Sequence, residues 1–97
     1  MPKGYWVAHV DVDDMARYKD YVAANAAPFA EYGARFLVRG GQKEVREGQT
    51  RARTVVIELS DYATAKACYD SVSYQDAKAL RYPVSKGDME IIEGYDG

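Results

Sequence analysis

The order in which apolar spacing changes along this chain leaves few folds open: extended, helical, extended, extended, helical, extended. Tyr5 to Val12 (YWVAHVDV) is aromatic and β-branched and opens with apolar residues on both sides, which predicts a central strand. Asp13 or Asp14 can cap a helix that carries Met15, Tyr18, Val22, Ala26 and Phe29 on one face and runs from about Asp14 to Glu31. Pro28 removes an internal hydrogen bond and predicts a break near Asn25 to Ala27, with Gly33 as a left-handed stop. Ala34 to Val38 alternates as a strand. Gly40 and Gly41 predict a bulge in an extended run that continues to Arg46, and Glu47-Gly48-Gln49 turns the chain.

Arg53 to Leu59 (RTVVIEL) is the clearest buried strand and completes a hairpin with the run before it. Ser60 or Asp61 caps a helix with Tyr62, Ala65, Cys68, Tyr69 and Val72 on one side, and Ser73 with Asp76 forms a capping-box pattern for a further turn or two. Pro83 and Gly87 end that stretch, and Met89 to Tyr95 reads as the closing strand. A βαββαβ order with right-handed crossovers places both helical regions on one face of a four-stranded antiparallel sheet. The expected fold class is therefore α+β, ferredoxin-like, in one domain over residues 1–97. Its second sheet face is bare, and an equivalent face of a second copy is the simplest cover, so a homodimer is expected.

Composition narrows the function classes. The formal charge is -2, which gives the whole molecule no attraction for phosphate backbones or anionic lipid. The cluster Lys43, Arg46, Arg51 and Arg53 is diluted by Glu44 and Glu47 and reads as a solvated hairpin. RTVVIEL also lacks the glycines and paired aromatics with which RNA-binding domains of this topology stack bases, so no nucleic acid is expected as partner. One cysteine, Cys68, and one histidine, His9, exclude an internal disulfide and a Cys/His zinc site. No stretch approaches the roughly 20 apolar residues of a membrane span, and the N-terminus lacks the pattern of a secretory signal, so a cytoplasmic protein is expected. Nine tyrosines point to buried hydroxyls or an interface.

The tracts GYW (Gly4 to Trp6), YGARFLVRGG (Tyr32 to Gly41), TVVIEL (Thr54 to Leu59), SYQ (Ser73 to Gln75) and IIEG (Ile91 to Gly94) together resemble DUF1330, a family of short, uncharacterised, mainly bacterial proteins. The resemblance implies a dimeric α+β barrel, in which two ferredoxin-like sheets pack face to face and a pocket often lies between sheet and helices. That superfamily includes cofactor-free monooxygenases, lactone isomerases and haem-dependent enzymes. Leu59, Ser60 and Asp61 depart from the Phe-Pro-Ser that is more usual there, which bears on the helix start and not on the fold.

His9 is the one side chain whose ordinary pKa lies near neutrality, which makes it the candidate general base; the alternative is a histidine hydrogen-bonded within the sheet or dimer interface. Glu58 lies between Ile57 and Leu59 and needs a partner if buried, for which Arg39 across the hairpin is the candidate. That pair is either structural or a grip on an anionic substrate. Tyr69, Tyr74 and Arg81 are candidate ligand-binding groups on the second helical region, with Tyr18 and Trp6 as an apolar wall; the alternative is core tyrosines with satisfied hydroxyls. No cofactor is expected: a haem would need His9, on a strand, as its axial ligand. The functional expectation is a cofactor-independent enzyme acting on a small organic molecule, and the alternative is a noncatalytic dimeric metabolite-binding module.

Overall fold

A computed structural model describes residues 2–97. Strand β1 (Gly4–Val12) is followed by helices α1 (Met15–Ala24) and α2 (Ala26–Glu31), strands β2 (Arg35–Arg39) and β3 (Arg53–Leu59), helices α3 (Tyr62–Asp70) and α4 (Val72–Arg81), a 3-10 turn (Tyr82–Val84) and strand β4 (Ser85–Glu93). The strands lie in the order β2-β3-β1-β4 with every neighbouring pair antiparallel. This is the ferredoxin-like α+β architecture expected from the order of periodicities, and a thickness of 17 Å is that of one sheet and one helical layer.

Local chemistry sets the element ends. Asp14 and Asp61 cap α1 and α3 by accepting from the N–H groups of Arg17 and Thr64. The first helical region breaks at Asn25, three residues before Pro28, and Gly33 turns the chain with φ of +69° into β2. Helix α4 is capped two residues earlier than the Ser73-Asp76 pattern predicts. Ser71 has extended backbone, its Oγ accepts from Tyr74 N at 3.2 Å and donates to Cys68 O at 2.7 Å, and so it closes α3 while opening α4.

Strand alternation assigns each residue a side. Gly4, Trp6 and Val10 of β1 and Ile57 and Leu59 of β3 are buried under the helices, where they meet Tyr18, Tyr21, Phe29, Cys68, Tyr74 and Ala77. The opposite, open face carries Val7 and Val56, both half-buried, together with the more exposed Val38 and Ile92.

Two strands differ from expectation. β2 ends at Arg39, and no strand follows in residues 40–52, so Gly40 and Gly41 terminate the strand instead of interrupting it. Gly40 and Gly48 both take positive φ, and the segment between them is exposed throughout, with no apolar face to hold it against the sheet. The irregularity in pairing lies earlier, between Phe36 and Val38. β4 begins at Ser85, four residues before the predicted Met89, because Pro83 ends the helical region in a single 3-10 turn and Ser85 pairs at once with Val12.

Candidate functional site

Between the sheet and α1, α2 and α4 lies a cavity of about 260 Å³. Its apolar wall is an aromatic cluster centred on Trp6, whose ring meets Tyr74 at 4.8 Å and Phe29 at 5.2 Å edge to face. Trp6 is fixed by its indole N–H, which donates to Ala65 O at 2.9 Å. The orientation of the wall therefore rests on a buried hydrogen bond as well as on packing.

The polar lining is cationic. Arg39, Arg53, Lys78 and Arg81 all border the cavity. Among the described residues none of the four has a carboxylate within ion-pair distance. Three instead lie over aromatic faces: Arg39 over Phe36 at 4.2 Å, Arg81 over Tyr21 at 5.5 Å, and Lys78 between Tyr69 at 5.5 Å and Tyr82 at 5.2 Å. Arg53 is placed by Gly40, where a Cβ would collide with the guanidinium, and its Nε is buried with no hydrogen-bond partner. Asp88 also borders the cavity, but its carboxylate accepts from Arg51 Nε at 3.0 Å in an ion pair on the open-face side.

A hydroxyl chain runs along the helical side. Arg81 Nη2 donates to Tyr74 Oη at 3.3 Å, and Tyr74 Oη lies 2.9 Å from Tyr21 Oη. Burial, reinforced by Tyr74, raises the Tyr21 pKa, and burial with Tyr21 nearby raises that of Tyr18. Burial opposes the Arg81 charge, but the Tyr74 and Tyr21 hydroxyls hold its pKa above the ordinary value. At neutral pH Tyr18 and Tyr21 are therefore hydrogen-bonding groups and not bases.

The structure divides the sequence-derived candidates between two faces. Arg39, Tyr69, Tyr74 and Arg81 border the cavity, as do Trp6 and Tyr18. His9 and Glu58 do not. His9 pairs with Thr54 on the open face, where its Nδ1 lies 3.1 Å from Thr54 Oγ1. The same Thr54 hydroxyl accepts from Lys43 Nζ at 2.9 Å. Glu58 also points to the open face, opposite Arg35 and Tyr5. The expected Arg39–Glu58 pair does not form, because the extra residue in β2 brings Arg39 opposite Val55 and onto the helical side.

Arg53, Tyr21, Asn25 and Lys78 are cavity residues that the sequence reading missed. In the sequence Arg53 belongs to a basic cluster that reads as a solvated hairpin, although it alternates with the inward-facing Val55 and Ile57, and that alternation is the available signal. Tyr21 and Asn25 follow Tyr18 at helical spacing and are 8% and 5% exposed. Cys68 is fully buried, and burial pushes its thiol up to about 11, which leaves it as inert packing. No helix among the described residues is long and apolar enough to cross a membrane, and no group of acidic, histidine or cysteine side chains there is arranged to hold a metal.

A ferredoxin-like domain with a cavity between sheet and helices defines the class to which this chain belongs. Within it, residues 3–95 match the family described as a domain of unknown function, DUF1330, and the chain is a member of that family. A comparison with curated proteins finds no match. Among solved structures, a protein of unknown function from Rhodopseudomonas palustris is similar over 99% of this chain and 85% of its own, at 11% identity and a TM-score of 0.76. A dimeric ferredoxin-like protein of unknown function from Jannaschia sp. CCS1 is similar over 96% and 98%, at 15% identity and a TM-score of 0.69. SnoaB, a cofactor-independent oxygenase from Streptomyces nogalater, is similar over 100% and 97%, at 13% identity and a TM-score of 0.66. At these identities the likeness establishes the fold.

Proposed function

We propose that this chain is a cytoplasmic homodimer that holds a small organic molecule in the cavity between its sheet and helices and acts on it without a cofactor. The cavity carries the reading: about 260 Å³ of space is bounded by a rigid aromatic wall and by Arg53, whose Nε is buried without a partner. Dimerisation is supported by Val7, Val38, Val56 and Ile92 on the open face and by the dimeric ferredoxin-like proteins of this fold. Cofactor-independent chemistry is supported by the fold shared with the oxygenase from S. nogalater.

A noncatalytic binding module is favoured by one observation. The single histidine lies on the opposite face, and the one carboxylate bordering the cavity, Asp88, is engaged by Arg51, so neither of the usual general bases stands free in the cavity.

A library of small ring compounds, screened by thermal shift and followed by mass spectrometry for product, tests both readings. Saturable stabilisation is expected, worth about 2.7 kcal/mol at a hundredfold excess over Kd. It is expected to vanish in Ala8→Phe, which fills the cavity from the strand side. Product formation selects the enzyme, and stabilisation without product selects the binding module. Stabilisation that survives Ala8→Phe would place the ligand elsewhere.

A further inference from the structure

We infer that the cavity is built for an organic acid carried on a planar ring, with the acid group held by the Arg53 fork beside Arg39 and the ring lying against Trp6, Phe29 and Tyr74. The inference rests on the cavity being a ligand site, and it names the class of ligand.

Charge is the first argument. The chain has 15 acidic and 13 basic residues, so a lining drawn evenly from its surface would mix signs. This cavity collects four cations, and the one acidic residue beside it has its carboxylate committed to Arg51 on the other face. Aromatic faces hold three of those cations in place without neutralising them. The lining therefore presents uncompensated positive charge to whatever enters, in a partly desolvated space where that charge acts strongly.

Geometry is the second. A guanidinium can also offer its two terminal nitrogens as parallel donors to the two oxygens of a carboxylate or to the paired oxygens of a conjugated enolate. Arg53 borders the cavity with its guanidinium against Gly40, where a Cβ would collide with it, and because its Nε is enclosed the terminal nitrogens are the donors a ligand can reach. Arg39, at the end of the neighbouring strand β2, adds a second cation.

Size and shape are the third. An engineered apolar cavity of about 150 Å³ admits benzene, so 260 Å³ accommodates a ring with its acidic substituent or a small fused ring. The closely packed cluster around Trp6 gives the cavity an apolar aromatic wall against which a ring can lie. A nucleotide or a coenzyme is too large, and a bare inorganic anion would leave the aromatic wall uncovered.

The test compares 2-naphthoate with its neutral isostere 2-naphthamide by isothermal titration calorimetry on the full-length protein. The carboxylate is expected to bind at least about tenfold more tightly than the amide. Arg53→Gln is expected to reduce carboxylate affinity to that of the amide while leaving amide affinity unchanged, and Arg17→Gln, on the exposed side of α1, is expected to change neither. Circular dichroism confirms folding of each variant. If Arg53→Gln does not fold, Arg39→Gln at the exposed end of β2 carries the same expectation. Equal affinity for the two probes in the parent protein overturns the assignment of an acid while the cavity remains a ligand site. No saturable binding of either probe overturns both.

Discussion

The Arg39 guanidinium lies 4.2 Å from the centre of the Phe36 ring, although the two residues are three apart on a β-strand, where regular alternation would put them on opposite faces of the sheet. One extra residue in β2 makes this contact possible. Phe36 pairs with Ile57 and Val38 with Val56, so Leu37 is left over and Arg39 falls opposite Val55 on the helical side. Without the bulge, Arg39 would face away from the helices and the cavity would lose one of its four cations.

Gly40 has a second consequence for the same site. Gly40→Ala places a side chain at φ of +68° and against the Arg53 guanidinium. Gly33→Ala meets the same backbone cost at φ of +69° but projects into open space. Both variants are expected to lose about 1 to 2 kcal/mol of stability from the left-handed backbone. Only Gly40→Ala is expected to weaken binding of 2-naphthoate as well, which calorimetry and urea unfolding on the pair will separate.

The buried Tyr21–Tyr74 contact predicts a non-additive pair. Tyr74→Phe leaves the Tyr21 hydroxyl without its 2.9 Å neighbour and Arg81 Nη2 without its acceptor, at a cost of about 1 to 3 kcal/mol. Tyr21→Phe strands fewer groups and is expected to cost less. The double variant is expected to cost less than the sum of the two by about 1 kcal/mol, since the second change removes a group already unpartnered. Additive losses in urea titrations would show that the hydroxyls do not act together.

Acid stability has an identifiable contributor in Asp11. The Ala52 N–H and then the Arg51 guanidinium, bound at 3.0 and 2.9 Å, hold its carboxyl below the ordinary carboxylate value. A folded-state pKa below the unfolded one stabilises fully above about pH 4, the unfolded value, and that contribution is lost as pH falls through the folded value. Asp11→Asn is expected to lower Tm at pH 7 and to converge with the parent protein at the acid end. Thermal unfolding between pH 2.5 and 7, at an ionic strength of about 0.05 M to limit screening, will read the difference.

The open sheet face predicts the oligomeric state. Val56 lies in the central strand β3 on that face, so Val56→Lys is expected to convert a dimer to a monomer in sedimentation equilibrium. His9→Ala, on the same face and 3.1 Å from Thr54 through Nδ1, is expected to affect association and to leave ligand affinity in the cavity unchanged. A monomeric parent protein at micromolar concentration would remove the reason for the apolar open face.

The legible part of this molecule was that governed by period and by punctuation. RTVVIEL, the tyrosines and Phe29 at helical spacing, Gly33 and the aspartate caps were each placed by local chemistry, and the order of elements followed. The family was legible too, since its tracts span the chain. The site was only partly so. Tyr74 and Arg81 are readable because residues seven apart share one helical face, along which the long Arg81 side chain reaches back to the Tyr74 hydroxyl. The sequence suggests Arg39 as a partner for Glu58 because nothing in ARFLVRGG marks which residue is the extra one, and a shift of one residue exchanges the two faces. Arg53 is hard to tell from Lys43 and Arg51, which are nearby in sequence but bond to groups on the open sheet face, while its own strand turns it inward.

The most direct test of the acid-binding cavity is a crystal of the protein soaked with 4-iodobenzoate, whose iodine can be located by anomalous scattering. An iodine peak is expected among Trp6, Phe29 and Tyr74, with the carboxylate on Arg53. An iodine peak on the open face, or a carboxylate directed away from the arginines, would contradict it.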